Sequence, residues 1–134
     1  MNILLYCPSK FSLESKNLKK LGGIESLNLE LAKALSKENI NVTLGTDCKK
    51  TIIKNKITNI PIYKLKSNAK KFFFDSIVTS NDTSLYSYFK NSKKILWLHN
   101  KLQIEKAIRK KKFFPINYHR PHVVFVSNYL SNFT

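Results

Sequence analysis

The chain has 134 residues, of which 43% are hydrophobic, and a formal net charge of +16. This length is enough for one hydrophobic core, so a single domain over residues 1–134 is expected and a two-domain enzyme is excluded. No apolar run approaches the roughly 20 residues that cross a bilayer, and the first residues lack the pattern of a secretion signal. Cys7 and Cys48 show neither metal nor disulfide spacing, which predicts a cytoplasmic location.

The positive charge favours an anionic partner. Almost all of it comes from lysine, since Arg109 and Arg120 are the only arginines. Surfaces that read bases favour arginine, so no nucleic-acid partner is expected, and the composition of an AT-rich genome accounts for the lysines equally well. Lysines stand next to aromatic residues in 70–74 and 109–114, a pattern that predicts peripheral contact with the inner face of an anionic membrane. For the second run, cations at a helix C-terminus are an alternative explanation.

The N-terminal third has the clearest pattern. Asn2–Cys7 is an almost continuous apolar run, typical of a strand that is covered on both faces. Apolar residues at helical spacing predict a helix over Ile24–Glu38, which Asn39 ends in a left-handed conformation. The alternating, β-branched segment Asn41–Thr46 predicts the second strand.

The middle of the chain predicts a third strand at Ile60–Leu65, after a polar loop, and a fourth at Ser76–Thr79. Asn81 or Asp82 is expected to cap a short helix that ends near Lys90.

The remaining pattern predicts a strand at Lys94–Leu98, a helix at Leu102–Lys112, a strand at Val123–Ser127 and the start of a helix at Asn128. Alternating strands and helices indicate an α/β fold, here a Rossmann-like three-layer domain with a mainly parallel sheet and the first strand at its centre. Ligands of such sheets bind at the carboxyl ends of the strands.

Two features fall at that edge. Gly22 and Gly23 precede the first helix, where they form either a tight turn or cap, or a place where a phosphate approaches free backbone N–H groups. They do not form the G-x-G-x-x-G fingerprint, so no nicotinamide cofactor is expected. His99 ends the fifth predicted strand, either as a ligand contact or as a structural hydrogen-bonding residue. His119 and His122 lack further ligands nearby, so no metal site is predicted.

Three segments together resemble a known family. These are GGIESLNLELAKALSKENINVTLGT, ILWLHN and VVFVSNYL, in this order along the chain. They are similar to the N-terminal domain of the retaining glycosyltransferases of family 4 (group 1), which have the GT-B fold. Asn100 departs from the family pattern, which has aspartate there.

The resemblance implies a substrate site. It would place Gly22 and Gly23 beside the diphosphate of a nucleotide-sugar donor, with His99 as the catalytic contact to the donor sugar. Glu25, Asn100 and Ser127 would complete the substrate-binding residues, and no cofactor would be needed.

The resemblance also implies the acceptor-side domain of an enzyme that moves a sugar onto a glycan or lipid-linked acceptor. The family holds its donor mainly in a C-terminal domain, so the chain is expected to be truncated and to need that missing domain for activity. The alternative is a non-catalytic Rossmann-like module that docks on an anionic surface or partner.

Overall fold

The structure is a computed structural model and describes residues 1–14, 22–99 and 121–125. Its elements, in chain order, are β1 (Asn2–Tyr6), α1 (Gly23–Lys37), β2 (Asn41–Thr46), β3 (Ile52–Lys54), β4 (Ile57–Pro61), α2 (Ile62–Ser67), β5 (Ser76–Ser80), β6 (Lys93–Leu98) and β7 (His122–Phe125). The strands form one sheet in the order β3-β4-β2-β1-β5-β6-β7. All neighbouring pairs are parallel except β3 with β4. The prediction of an α/β fold with a mainly parallel sheet is confirmed.

Strand β1 lies at the centre of this sheet, as predicted, and pairs in parallel with β2 and β5. Its side chains alternate between two buried clusters. Leu4 and Tyr6 join the cluster that contains α2 residues, whereas Leu5 and the following Cys7 join the cluster packed against α1. Because successive side chains of a strand point to opposite faces, the sheet has an apolar core on each side.

Helix α1 closely matches its predicted span. Leu29 and Ala32 are buried against the sheet, and the exposed face carries charged residues such as Glu30 and Lys33. Asn39 has a φ of 59°, which confirms the left-handed residue after the helix. The chain can therefore turn directly into β2 without a glycine.

The predicted third strand, Ile60–Leu65, is correct for Ile60 and Pro61 and wrong from Ile62 onward. Strand β4 ends at Pro61, and the chain continues as helix α2. Ile62 and Leu65 are both buried, so their spacing of three residues follows the period of a helix. Proline stands at the N-cap with a φ of −59°, and its fixed φ suits the start of a helix.

The preceding segment, predicted as a polar loop, contains strand β3 and a hairpin with β4. Asn55 and Lys56 form its turn, with φ angles of 51° and 66°. Two positive φ angles are typical of a type I′ turn. Lysine rarely occupies its second position, which explains why the sequence did not reveal the hairpin.

The predicted helix after Asn81 is also wrong, because only a single 3-10 turn forms, at Tyr86–Tyr88. Asp82 accepts a hydrogen bond from the backbone N–H of Ser84 at 2.6 Å, which closes a local turn instead of capping a helix. The predicted helices at 102–112 and from Asn128 lie outside the described residues. In the described part of the chain, no helix has both the length and the apolar character that crossing a bilayer requires.

Candidate functional site at the carboxyl edge of the sheet

Hydrogen bonds join the carboxyl ends of β5 and β6, and the residues there, Ser80, Asn81 and His99, are buried. Ser80 ends β5 and pairs with Trp97 of β6. The next residue, Asn81, has a φ of 53° and donates its backbone N–H to the carbonyl of Trp97 at 3.0 Å. Its side-chain oxygen then accepts the backbone N–H of His99 at 3.0 Å. The left-handed turn at Asn81 thus fixes the position of the residue that follows β6.

The imidazole of His99 is buried between two neighbours. Its Nε2 lies 3.0 Å from the hydroxyl oxygen of Ser80, and its ring lies 4.4 Å from the ring of Trp97, between centroids. Burial lowers the pKa of His99 from 6.5 to about 4, and the negative charge of Glu25 opposes this effect. His99 is therefore neutral at pH 7 and offers hydrogen bonds, not a positive charge, to any group that approaches it.

The start of α1 carries a carboxylate. Glu25, in the first turn, accepts a hydrogen bond at 2.6 Å from the hydroxyl of Ser9, which follows β1. A Cβ atom added to Gly22 would lie 2.6 Å from the Glu25 carboxylate oxygen. The Glu25 carboxylate thus lies close beside Gly22, and its negative charge interacts favourably with the positive end of the helix dipole.

Gly23 is in a different situation. No described atom lies within 4 Å of a Cβ added at this position, and neither glycine has a positive φ. The described residues therefore supply no packing or conformational reason for glycine here. Gly22 is the N-cap residue of α1, which agrees with the cap that the sequence left open as one explanation, whereas the approach of a phosphate to Gly23 stays a prediction.

Asn28 connects α1 to His99 and was missed by the sequence analysis. It is fully buried, and its amide nitrogen donates to the carbonyl of Ile24 and to the hydroxyl of Ser80, both at 2.9 Å. A signal was present, because Asn28 lies four residues after Ile24 and three before Leu31, on the apolar face of the predicted helix. A polar residue on such a face needs a buried partner.

Several buried polar atoms at this edge have no hydrogen-bond partner among the described residues. They are Asn28 Oδ1, Asn81 Nδ2, Thr83 Oγ1 and His99 Nδ1. Buried polar groups are nearly always paired. This concentration around the ends of β5 and β6 marks the edge as a place with unmet hydrogen-bonding capacity.

Two side chains near this edge are poor candidates for covalent chemistry. Burial raises the pKa of the Cys7 thiol to about 12 and that of the Tyr86 hydroxyl to about 12. Neither group forms an appreciable amount of anion at neutral pH, so neither is an activated nucleophile. Cys7 and Cys48 are both free thiols. In the ranges 1–14, 22–99 and 121–125, no three His, Cys, Asp or Glu side chains come together as a possible metal site.

An open groove lies where the loops after β1 and β2 meet. It has a volume of about 670 Å³ and contains three lysines and two acidic residues, its lining being Lys10, Phe11, Ser12, Glu14, Asp47, Cys48, Lys49, Lys50 and Ile52. The hydroxyl of Ser9 donates to Glu25, and the backbone carbonyl of Ser9 accepts the backbone N–H of Asp47 at 2.9 Å. The groove and the start of α1 are therefore neighbours.

The predicted site residues fall into two groups. Gly22, Gly23, Glu25 and His99 lie at one edge of the sheet, as their positions after parallel strands predicted. Asn100 and Ser127 lie outside the described residues.

Comparison of the chain with protein-family models, with curated proteins and with solved structures finds no match. The resemblance to glycosyltransferases therefore rests on the motifs of the sequence alone.

Proposed function

We propose that this chain forms the acceptor-side wall of a retaining glycosyltransferase site, with the Rossmann-like architecture of the N-terminal half of a GT-B fold. One observation carries the proposal. Buried hydrogen bonds of Asn28 and Ser80 connect His99, after β6, to the carbonyl of Ile24, the residue that follows the glycine pair in α1. The motifs that suggested the family are thus neighbours at the edge where parallel sheets bind ligands.

The first turn of α1 would stabilise the leaving diphosphate of a nucleotide-sugar. Its free N–H groups and the helix dipole favour negative charge, and preorganised dipoles of this kind lower the energy of a developing anion. The diphosphate would approach on the side of Gly23, because the carboxylate of Glu25 lies beside Gly22 and repels an anion there. His99, being neutral, would hydrogen-bond the donor sugar.

The groove beside Ser9 would receive the acceptor. Lys10 and Lys49 line it, whereas the Lys50 ammonium lies 3.7 Å from the Glu14 carboxylate, and lysine side chains attract the phosphates of a lipid-linked acceptor. A second wall, which the resembled enzymes carry in a C-terminal domain, would be needed to hold the nucleotide and exclude water. We place the assembled enzyme in the cytoplasm, at the inner face of the membrane.

Titration of the isotope-labelled 134-residue chain with uridine, guanosine and adenosine diphosphate sugars tests this function. We expect amide shifts at Gly23 and imidazole shifts at His99 for at least one donor, with a Kd of about 1 mM, as for a few exposed contacts, and no sugar transfer. The Gly23 amide shifts should be abolished by His99→Ala and kept by His122→Ala, since His122 is an exposed residue of β7. Equal titration curves for His99→Ala and the wild type would contradict the proposal, and turnover by this chain would show that the one-wall description of the site is wrong.

A second candidate function is a non-catalytic module that docks on an anionic membrane. It is favoured by the surface formed by Lys70, Lys71 and Phe73, which precedes β5. Phe73 is 68% exposed, and both lysines are exposed, whereas Phe72 and Phe74 stack at 6.1 Å on the protein side. An exposed aromatic ring beside two cations is suited to the interface of an anionic bilayer.

A further inference from the structure

Three buried side chains form a series that leads from α1 to the imidazole. The amide nitrogen of Asn28 lies 2.9 Å from the carbonyl oxygen of Ile24 and 2.9 Å from the hydroxyl oxygen of Ser80. The same Ser80 oxygen lies 3.0 Å from His99 Nε2. All three side chains are at least nine-tenths buried, so water does not compete for these bonds.

The direction of each hydrogen bond follows from the first. The carbonyl of Ile24 can only accept, so the Asn28 atom facing it must be the amide nitrogen. That nitrogen can only donate, and Ser80 must therefore accept its second hydrogen. The hydroxyl hydrogen of Ser80 is then free to point at His99 Nε2, which accepts it as the unprotonated nitrogen. A neutral imidazole bonded in this way carries its hydrogen on Nδ1.

The opposite tautomer is poorer in hydrogen bonds. If Nε2 carried the hydrogen, Ser80 would accept from both neighbours, and its own hydrogen would have no acceptor in the described part of the chain. The Nδ1 lone pair would also be buried without a partner. Each tautomer buries one donor hydrogen without a partner among the described residues, but the Nε2–H form also leaves the Nδ1 lone pair unpaired. Unpaired buried groups are costly, so the network favours hydrogen on Nδ1.

We propose that Asn28 and Ser80 are positioning residues that hold His99 as the neutral Nδ1–H tautomer, and that this N–H donates to an oxygen atom of the bound ligand. Nδ1 is buried and has no partner among the described residues, as expected of a donor kept for a ligand. The lowered pKa of His99 agrees with a neutral ring at pH 7. Only the identity of the ligand as a nucleotide-sugar rests on the proposed function. The tautomer follows from the three side chains alone.

Long-range proton–nitrogen NMR correlation on the nitrogen-15-labelled chain at pH 7 measures the tautomer directly. His99 is assigned among the three histidines by comparison with His99→Gln. We expect a pyrrole-type Nδ1 and a pyridine-type Nε2. A pyrrole-type Nε2 in the wild type would overturn the proposal.

Variants test the positioning roles. Ser80→Ala should raise the Nε2–H population at least threefold, and Ser80→Thr, which keeps the hydroxyl, should restore the wild-type pattern. Asn28→Leu should also raise that population. Asn59→Leu is the matched control, since Asn59 is equally buried and its amide donates to Leu44 and Thr46 instead. An unchanged tautomer in folded Ser80→Ala would refute the role of Ser80. If Asn28→Leu does not fold, the comparison of Ser80→Ala with Ser80→Thr still decides whether the network sets the tautomer of His99.

The proposed donation from His99 Nδ1–H to a ligand oxygen is tested by adding the nucleotide-sugar identified by titration. The Nδ1 proton should shift and exchange more slowly with solvent when an oxygen accepts it. A chain that shows the Nδ1–H tautomer but binds no nucleotide-sugar supports the hydrogen-bond series and counts against the proposed function. Binding that leaves the Nδ1 proton unchanged overturns the donor role.

Discussion

His99 Nε2 lies 3.0 Å from the hydroxyl oxygen of Ser80, at the adjacent carboxyl ends of two parallel strands. This contact places the side chain that the sequence singled out within a buried network anchored on α1. The strength and the direction of the hydrogen bond between Ser80 and His99 can both be measured.

Ser80→Ala should lower the free energy of unfolding by about 1–3 kcal/mol. The substitution leaves His99 Nε2 and one hydrogen of Asn28 buried without partners, and an unsatisfied buried group costs about this much. Urea denaturation of both proteins measures the difference. Ser36→Ala is the control, because the Ser36 hydroxyl bonds the Lys33 carbonyl on the exposed side of α1, and it should change stability by less than about 0.5 kcal/mol. Equal effects of the two variants would contradict the buried network.

Gly23→Ala should separate ligand binding from folding. Added at this position, a methyl group meets no described atom, and alanine is favoured over glycine in a helix by up to about 1 kcal/mol. We expect unchanged or higher stability but weaker binding of a nucleotide-sugar, since the methyl group occupies the side on which the diphosphate would approach. Thermal unfolding and titration measure the two quantities.

The matched control for this substitution is Gly45→Ala. A Cβ there would lie 2.7 Å from a methyl carbon of Leu65, inside the core. This variant should be destabilised by about 1–3 kcal/mol, as overpacked cores are. A Gly23→Ala protein that binds the donor as tightly as the wild type would remove the functional reason for this glycine.

Stability should fall when the pH is lowered from about 6.5 towards 4. The pKa of His99 is about 4 in the folded chain and 6.5 as its ordinary value, so between these values the unfolded chain binds the additional proton. The free energy of unfolding therefore rises with pH in this window. The contribution of His99 to stability is complete above about pH 6.5 and is lost below about pH 4. Urea midpoints measured across the window should show a steeper slope for the wild type than for His99→Gln. Parallel curves would show that His99 is not buried as a neutral ring.

Any binding to membranes should require anionic lipid and weaken as salt is added. The surface of Lys70, Lys71 and Phe73 has charge but little apolar area, and the screening length falls to about 8 Å at physiological ionic strength. Vesicle sedimentation should show weaker binding for Phe73→Ser and for the double variant Lys70→Glu, Lys71→Glu. Ile53→Ser is the control, because Ile53 is 74% exposed and lies on strand β3, away from this surface in the chain. Equal binding to neutral vesicles would contradict this prediction.

Much of the fold follows from local patterns. The apolar run of β1, the amphipathic period of α1 and the alternation of β2 each depend on residues close in the chain, so the sequence alone predicted these elements and the central position of β1. It was wrong where short segments were ambiguous. The buried pair Ile62 and Leu65 suits a helix as well as a strand, and the positive φ angles of Asn55 and Lys56 form a turn without the usual glycine.

The sequence by itself also determined that Gly22, Gly23 and His99 follow parallel strands and therefore share one edge of the sheet. Only the tertiary structure decided how they are connected, because the contacts span long distances along the chain. Ser80 meets Asn28 across 52 positions and His99 across 19, and no local pattern encodes such pairs. The structure likewise distinguished the two glycines, since only the packing shows that the Glu25 carboxylate lies beside Gly22 and that a Cβ added to Gly23 meets no described atom.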